Sequence, residues 1–249
     1  MAAALITGAS SGIGAATAKL FAQKNYDLIL VARNEQRLRD IEKQCLDLNP
    51  KIRVVSVVLD LKNYVSSKIH SALLQISPVE ILVNNAGIFE RASTTQSTDQ
   101  IWEDQFQTNL MGSVKITRDL WPIFEKNKKG SIVNVSSTLG IKPARGTSAY
   151  SAIKAAMINW TLCLAQEGGA ANIRANCLCP GIVDTPIHSF YNLPSDQKNK
   201  TINQYAQFQL LDQIGNPEQV AEAIYFLASD KSSWTTGSVL SIDGGINIK

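Results

Sequence analysis

Three side chains capable of acid–base chemistry lie near the middle of the chain: Ser137, Tyr150 and Lys154. Tyr150 and Lys154 are four residues apart at the start of a helical pattern, which places their β-carbons about 5–6 Å apart on one helix face. A free tyrosine has a pKa of about 10, and a nearby ammonium group lowers that pKa by stabilising the phenolate. Ser137 follows an apolar run, residues 132–135, that is typical of a strand. The set suits protonation of a ketone oxygen, or deprotonation of an alcohol, while another group transfers a hydride.

A glycine-rich turn near the N-terminus could bind the source of that hydride. It follows an apolar run, residues 3–7, and precedes an amphipathic helical pattern, which is the context that a dinucleotide-binding turn requires. Glycines allow close approach of a pyrophosphate, and the helix N-terminus offers unpaired N–H groups and a partial positive charge. The residues predicted to bind phosphate are Gly8, Ser10, Ser11, Gly12, Ile13 and Gly14.

The end of the second predicted strand, residues 27–32, bears on the choice of cofactor. An acidic side chain there would bond the adenosine ribose and repel a 2′-phosphate, but the chain has Ala32 followed by Arg33. A guanidinium group can pair with that phosphate through two hydrogen bonds. We therefore predict NADP(H) in preference to NAD(H), with Asn34 or Arg37 assisting. The alternative is a solvated arginine at a strand end.

Composition narrows the classes of function. The 249 residues are 45% hydrophobic and 18% charged, with a net charge of +3, which argues against disorder and against nucleic acid or membrane partners. An apolar start without a basic leader predicts a first strand and not a signal peptide. The cysteines show neither a disulfide framework nor zinc spacing, so we expect no metal site, a cytoplasmic location and four small buried core residues: Cys45, Cys163, Cys177 and Cys179.

Polar residues follow several other predicted strands. Asp60 follows residues 52–59, and Asn84 and Asn85 follow residues 79–83. Ligands bind at such carboxyl ends in open α/β sheets. These residues could equally cap a helix or turn the chain.

Two further segments stand out. Ser97 and Gln100 form a capping pattern before one long predicted helix that runs to about Lys126, and Asn109 is a poor choice for its interior. Residues 187–215, which precede a helix predicted from Asn216, are polar and weakly periodic. We expect them to be the least regular part of the fold and a lid over the site. His188 is expected at the surface. Four aromatic residues of this segment could give the lid an apolar underside: Phe190, Tyr191, Tyr205 and Phe208.

Taken together, these motifs resemble the short-chain dehydrogenase/reductase family over essentially the whole chain. Twelve residues separate Ser137 from Tyr150, as the family pattern requires. The other matching positions are residues 7–14, Asp60, residues 84–87, Asn109, Lys154, Pro180, Gly181 and residues 243–245.

The resemblance implies an α/β fold: a single Rossmann-like domain, residues 1–249, with a doubly wound parallel sheet of seven strands, assembled as a homotetramer or homodimer. It implies that Tyr150 is the general acid or base, Ser137 orients the substrate oxygen, Lys154 lowers the tyrosine pKa and binds the nicotinamide ribose, and Asn109 holds a water in a proton relay. Val183 and Thr185 would hold the carboxamide end of the cofactor. Further cofactor contacts are implied for Asp60, Leu61, Asn85, Ala86, Gly87, Tyr150, Lys154, Pro180 and Gly181.

The predicted function is hydride transfer between NADP(H) and a small carbonyl or alcohol substrate. One alternative is reduction of 3-oxoacyl thioesters on an acidic carrier protein, for which Lys126, Lys128 and Lys129 could form a docking patch, although Ala171 stands where a second arginine is expected. The other alternative, much less favoured, is a non-catalytic dinucleotide sensor. Ser11 replaces a basic residue of some NADP-dependent members, and the sequence does not identify the substrate.

Overall fold

Seven parallel strands form one sheet in the computed structural model, which describes residues 1–76 and 78–249. Most residues of the first six strands are apolar, as expected for strands covered on both faces. The strands are β1 (Ala3–Thr7), β2 (Asp27–Ala32), β3 (Val54–Val58), β4 (Val79–Asn84), β5 (Gly130–Val135), β6 (Ile173–Pro180) and β7 (Val239–Ile242).

Helices cover both faces of this sheet. Alternate residues of β1 point to opposite sides, so Ala4 and Ile6 belong to one apolar core and Ala3 and Leu5 to the other. The helices are α1 (Gly12–Gln23), α2 (Glu35–Leu48), α3 (Ser66–Leu73), α4 (Asp99–Phe106), α5 (Gly112–Asn127), α6 (Ser148–Gly168), α7 (Ser195–Ala206) and α8 (Pro217–Ala228). The first core packs against α1, α2 and α8, and the second against α3, α5 and α6.

The strand order is β3-β2-β1-β4-β5-β6-β7. The chain proceeds outward from β1 to β3 and then crosses to β4 on the other side of β1. Because the direction of winding reverses between β1 and β4, a crevice opens at the carboxyl ends of these strands, where open α/β sheets bind ligands. The predicted seven-stranded Rossmann-like sheet is confirmed.

A row of buried amides fixes β4 against β5. Asn84 and Asn134 are paired in register, and Asn84 Nδ2 donates to Asn134 Oδ1 at 2.9 Å. Asn134 Nδ2 donates in turn to Thr161 Oγ1 of α6, also at 2.9 Å. A shift in register would leave these buried groups unpaired, which costs about 1–3 kcal/mol per group. The asparagine that could have been a ligand, Asn84, therefore serves the fold.

Some sequence-based boundaries were wrong. The third strand begins at Val54, not at residue 52, and a turn in which Asn63 N donates to Asp60 O delays α3 until Ser66. The long helix predicted after residue 97 is interrupted at Gln107–Met111, and its N-cap is Thr98, whose Oγ1 accepts from Ile101 N at 3.3 Å.

Residues 187–215 are also more regular than expected, because α7 occupies twelve of them. Of the four cysteines, three are buried as predicted, but Cys163 lies on the exposed side of α6. All four are free thiols. Within the described residues, none of the helices combines the length and the apolar character needed to cross a bilayer.

Candidate active site

Ser137, Tyr150 and Lys154 meet at the carboxyl end of β5. Ser137 comes two residues after this strand and caps a short 3₁₀ turn, with its Oγ accepting from Leu139 N at 3.1 Å. Tyr150 and Lys154 lie in the first two turns of α6, and Lys154 Nζ is 5.6 Å from the centre of the Tyr150 ring. The predicted trio is thus brought together.

Burial controls the acidity of the tyrosine. Tyr150 is only 8% exposed, and this burial raises its pKa to about 12, opposed by a side-chain hydrogen bond with Ser137. Burial thus sets the direction of this shift, and the lowering of the tyrosine pKa by Lys154 stays a prediction. A buried phenol without a directly bonded cation keeps its proton near neutral pH, which suits a proton donor.

Lys154 is held beneath the tyrosine by the backbone. Its Nζ donates to Val135 O at 2.7 Å, and its carbonyl accepts from Ser136 Oγ at 2.8 Å. Burial lowers the pKa of Lys154 to about 8, partly opposed by the sulfurs of Cys177 and Cys179. The ammonium is thus still mostly charged at neutral pH.

Asn109 lies in the wide π-type turn Gln107–Met111 between α4 and α5. Its side chain is fully buried and holds the backbone of Ile88 at both ends: Ile88 N donates to Oδ1 at 2.7 Å, and Nδ2 donates to Ile88 O at 2.9 Å. Turns of this type are frequent at functional sites. Each end of this amide makes one hydrogen bond to Ile88, although a carboxamide can make up to four, so the amide holds the loop after β4 and keeps capacity for a further polar partner.

Sequence reasoning missed Phe89, which follows Ile88. Its ring lies against the ring of Tyr150, with centroids 4.7 Å apart and planes at 62°. Phe89 is only partly buried. The position of the loop after β4, beside the predicted site, was the only available signal.

The glycine turn is tied to the end of β4. Thr7 Oγ1 accepts from Asn85 N at 2.9 Å and from Ala86 N at 3.0 Å, while Asn85 Nδ2 donates to Thr7 O at 2.9 Å. Asn85, predicted as a cofactor contact, therefore uses its side chain to support the turn. Gly87 adjoins the catalytic residues, because a β-carbon there would lie 3.9 Å from Lys154 Nζ.

The turn itself fits a phosphate group. Gly8 and Gly12 have positive φ angles of 67° and 52°, and a β-carbon on Gly14 would lie 2.2 Å from Gly8 O, so glycine is required for this packing. Ser11 is the N-cap of α1, yet its side chain makes no capping hydrogen bond. The N-terminal N–H groups of α1 thus receive no capping bond from Ser11. They lie at the carboxyl edge of the sheet, and free N–H groups of this kind are the donors that bind phosphate.

At the end of β2, Arg33 is exposed and makes no hydrogen bond or ion pair with the described residues. Asn34 instead caps α2, its Oδ1 accepting from Arg37 N at 2.9 Å. After β3, Asp60 Oδ1 accepts from Lys62 N at 3.1 Å, so this side chain turns the chain and does not cap α3, which begins at Ser66. Leu61 is buried against Gly112 of α5, so only its main chain is available to a ligand.

The segment after β6 closes against the glycine turn. Gly181 packs on Asp243, since a β-carbon there would lie 2.8 Å from Asp243 Cα. Val183 and Thr185 are buried, and a β-carbon on Gly12 would lie 3.0 Å from Thr185 Cγ2. The positions predicted to hold the two ends of the cofactor therefore converge on one crevice.

Residues 187–215, the candidate lid, have internal contacts of their own. Lys198 of α7 forms a 2.9 Å ion pair with Asp184, which ties this helix to the end of β6. Aromatic rings contact one another within the candidate lid: His188 stacks on Phe190 with centroids 5.0 Å apart, while the Phe190–Tyr205 and Tyr205–Phe208 pairs are tilted, with centroids 5.4 and 6.1 Å apart.

The lid aromatic residues differ in exposure. Phe190 is buried, whereas Tyr191 and Phe208 are 40% and 57% exposed. His188 is half-buried and not at the open surface, and burial lowers its pKa. Among the residues that the structure describes, no group of three His, Cys, Asp or Glu side chains could hold a metal ion.

Comparisons with known proteins agree with this geometry. A family model described as short chain dehydrogenase matches residues 2–195. The 3-oxoacyl-[acyl-carrier-protein] reductase FabG of Thermotoga maritima is 35% identical, with 98% of this chain and 97% of that protein aligned. An acetoacetyl-CoA reductase of Rhizobium meliloti is 34% identical, with 97% of each chain aligned.

Solved structures are similar over their full length as well. A levodione reductase superposes with a TM-score of 0.92 at 28% identity, covering 98% of this chain and 97% of that one. The L-sorbose reductase of Gluconobacter frateurii, solved with NADPH and L-sorbose, also gives 0.92 at 27% identity, covering 99% and 97%. These relatives act on chemically different substrates, so the shared fold does not by itself fix the substrate.

Proposed function

This chain is a short-chain dehydrogenase/reductase, and from that premise we propose that it reduces carbonyl compounds with NADPH, using Tyr150 as the general acid. The observation that carries the proposal is the buried Tyr150, whose pKa Ser137 influences and whose ring lies 5.6 Å from Lys154 Nζ. The phenol is protonated near neutral pH, so it is ready to give a proton to a developing alkoxide. In the reverse direction, its phenolate would accept the proton of an alcohol.

Each remaining residue has a separate task. Ser137 orients the substrate oxygen towards the phenol. Lys154, fixed by Val135 O, supplies a positive charge beside the site and a route to replace the proton. Asn109 holds the loop after β4 and offers a further hydrogen bond to a relay water.

The residues around the crevice suit a nicotinamide dinucleotide, which when bound would supply or accept the hydride. The glycine turn and the start of α1 would hold its pyrophosphate. Asp60 would receive the adenine, and residues 180–185, with the main chain of residues 85–87, would receive the nicotinamide end. The unpartnered guanidinium of Arg33 supports NADP(H) over NAD(H).

A second candidate function is reduction of 3-oxoacyl thioesters, which the names of two relatives favour. A carrier protein docked on Lys126, Lys128 and Lys129 is less consistent with the fold. These lysines precede the amino end of β5, whereas Ser137 follows its carboxyl end, about 20 Å away for a six-residue strand. Lys129 is also paired with Glu80 at 2.7 Å. A thioester substrate would therefore be a coenzyme ester, or would be delivered to another surface.

Replacing the phenol tests the proposal. Tyr150→Phe should abolish turnover of ketones, with kcat lowered by about 10³-fold or more through loss of the proton donor, while NADPH binding measured by fluorescence titration stays nearly unchanged. Tyr225→Phe, which removes a hydroxyl from α8, is the matched control and should keep full activity. Full activity in Tyr150→Phe would overturn the mechanism. The cytoplasmic location stays a prediction.

A further inference from the structure

The ring of Phe89 covers the catalytic tyrosine. It meets the Tyr150 ring edge to face at 4.7 Å, a favourable geometry for two aromatic side chains. The Phe89 side chain is nevertheless only partly buried. Part of this ring is therefore left for another molecule to contact, immediately beside the phenol.

Phe89 is held in a fixed position from both sides. On its N-terminal side, both backbone polar groups of Ile88 are bonded to the Asn109 amide, at 2.7 and 2.9 Å. On its C-terminal side, Ala92 N donates to Gly146 O at 3.0 Å. Arg91 also donates to Arg145 O at 3.1 Å. A ring anchored in this way is a wall of the site and not a mobile flap.

We propose that Phe89 determines substrate specificity, by forming the apolar wall against which the substituent of the reacting carbonyl packs. This rests on the proposed function and names its substrate class: ketones that carry a flat apolar substituent next to the carbonyl. A phenyl or similar group would stack on the free part of the ring. A hydroxylated substituent would lose water there without gaining a hydrogen-bond partner, which is unfavourable.

The test uses two methyl ketones that differ in the second substituent, phenyl or hydroxymethyl. The native enzyme should prefer the phenyl ketone in kcat/KM. Phe89→Ala should reduce that preference by about tenfold or more, and Phe89→Leu by a few-fold, since leucine keeps apolar volume but lacks the ring. Phe89→Tyr retains the ring and should retain the preference.

A binding measurement separates packing from chemistry. In the inactive Tyr150→Phe background, calorimetry should show that Phe89→Ala weakens binding of the phenyl ketone by about tenfold and leaves the hydroxymethyl ketone unaffected. If Phe89 served stability alone, Phe89→Ala would lower the melting temperature but would change neither the kcat/KM preference nor the relative affinity for the two ketones.

The outcomes distinguish the two proposals. If the native enzyme reduces both ketones but prefers the hydroxymethyl compound, or if Phe89→Ala leaves the preference unchanged, Phe89 is not the specificity residue and the proposed function stands. If the native enzyme reduces neither ketone with NADPH or NADH, the proposed carbonyl reductase activity fails. In that case, the binding measurement still tests Phe89. If the Tyr150→Phe protein binds the two ketones equally well, and adding Phe89→Ala changes neither affinity, the specificity role is overturned as well.

Discussion

At the scale of single residues, burial of the Lys154 ammonium serves the proposed chemistry but lowers the stability of the fold. Lys154 is 3% exposed, and its pKa is lowered from 10.5 to about 8. Below pH 8 the fold must keep a charge out of water, which costs up to about 3 kcal/mol. Within the part of the chain that the structure describes, the ammonium makes one hydrogen bond, to Val135 O, that offsets this cost.

Lys154→Met should therefore be inactive yet more stable, by about 1 kcal/mol near pH 7, after allowing for the unpaired Val135 carbonyl. Because the folded pKa is below the unfolded one, the unfolded chain binds more protons between about pH 8 and 10.5, so native stability relative to the variant rises across that window. Urea unfolding near pH 7 and near pH 10 measures the difference, which should change sign. The exposed Lys126→Met is the control, and a difference that does not vary with pH would contradict the prediction.

Arg33 is the residue on which the cofactor preference depends, because Asn34 is occupied in capping α2. Arg33→Ala should lower kcat/KM for NADPH by about 10- to 100-fold, the value of one charged hydrogen-bonding group, and leave NADH nearly unchanged. Arg39→Ala, which removes an exposed arginine paired with Glu35, is the matched control. An equal loss with both cofactors, or a native preference for NADH, would show that Arg33 does not read the phosphate.

At the scale of elements, the turn between α4 and α5 positions a loop as well as a side chain. Asn109→Ala would leave the N–H and C=O of Ile88 without their partner in a half-buried place, costing about 1–2 kcal/mol. Displacement of Ile88 would also move Phe89 away from Tyr150. We expect kcat to fall at least tenfold at temperatures well below unfolding, measured beside the exposed Asn159→Ala. A variant that loses stability but keeps its kcat would limit Asn109 to a structural role.

The elements also show what the sequence could predict. Short-range sequence patterns predict the strands, the glycine turn and the start of α6. The order of the strands in the sheet then sets where these elements lie. The break at Gln107–Met111 could not be read, because Asn109 is accommodated there by a partner twenty-one residues away, Ile88. In the same way, the contact that ties α7 to the segment after β6 joins residues fourteen apart, Asp184 and Lys198, and a local pattern does not reveal it.

At the scale of the whole molecule, two of the surfaces that carry exposed apolar residues bear on assembly. On α4, Trp102 and Phe106 are 39% and 38% exposed, next to Ala152 and Ala156 of α6. At the β7 edge, Trp234 is fully exposed and Val239 is 38% exposed. Large exposed apolar residues on a soluble fold mark interfaces, and two self-complementary surfaces generate a tetramer from a dimer of dimers.

We therefore expect native protein to be tetrameric, and Trp102→Glu to yield dimers, as measured by light scattering after size-exclusion chromatography. A buried carboxylate would oppose assembly through the α4 and α6 surface, but would leave the β7 surface intact. Leu74→Glu, at a 90% exposed position outside both surfaces, should remain a tetramer. A monomeric native protein, or identical masses for the native protein and Trp102→Glu, would refute this arrangement.

The wide turn at Gln107–Met111 has a consequence for how this site can change by mutation. Such a turn holds one residue more than the α-helical turn it replaces, so removing one residue would allow α4 and α5 to join as one regular helix without the wide turn. The carboxamide of Asn109 would then no longer face Ile88. In-frame loss of one codon in this segment should therefore damage the enzyme more than most single amino-acid substitutions there. The wide turn depends on the number of residues between α4 and α5, which a substitution does not change.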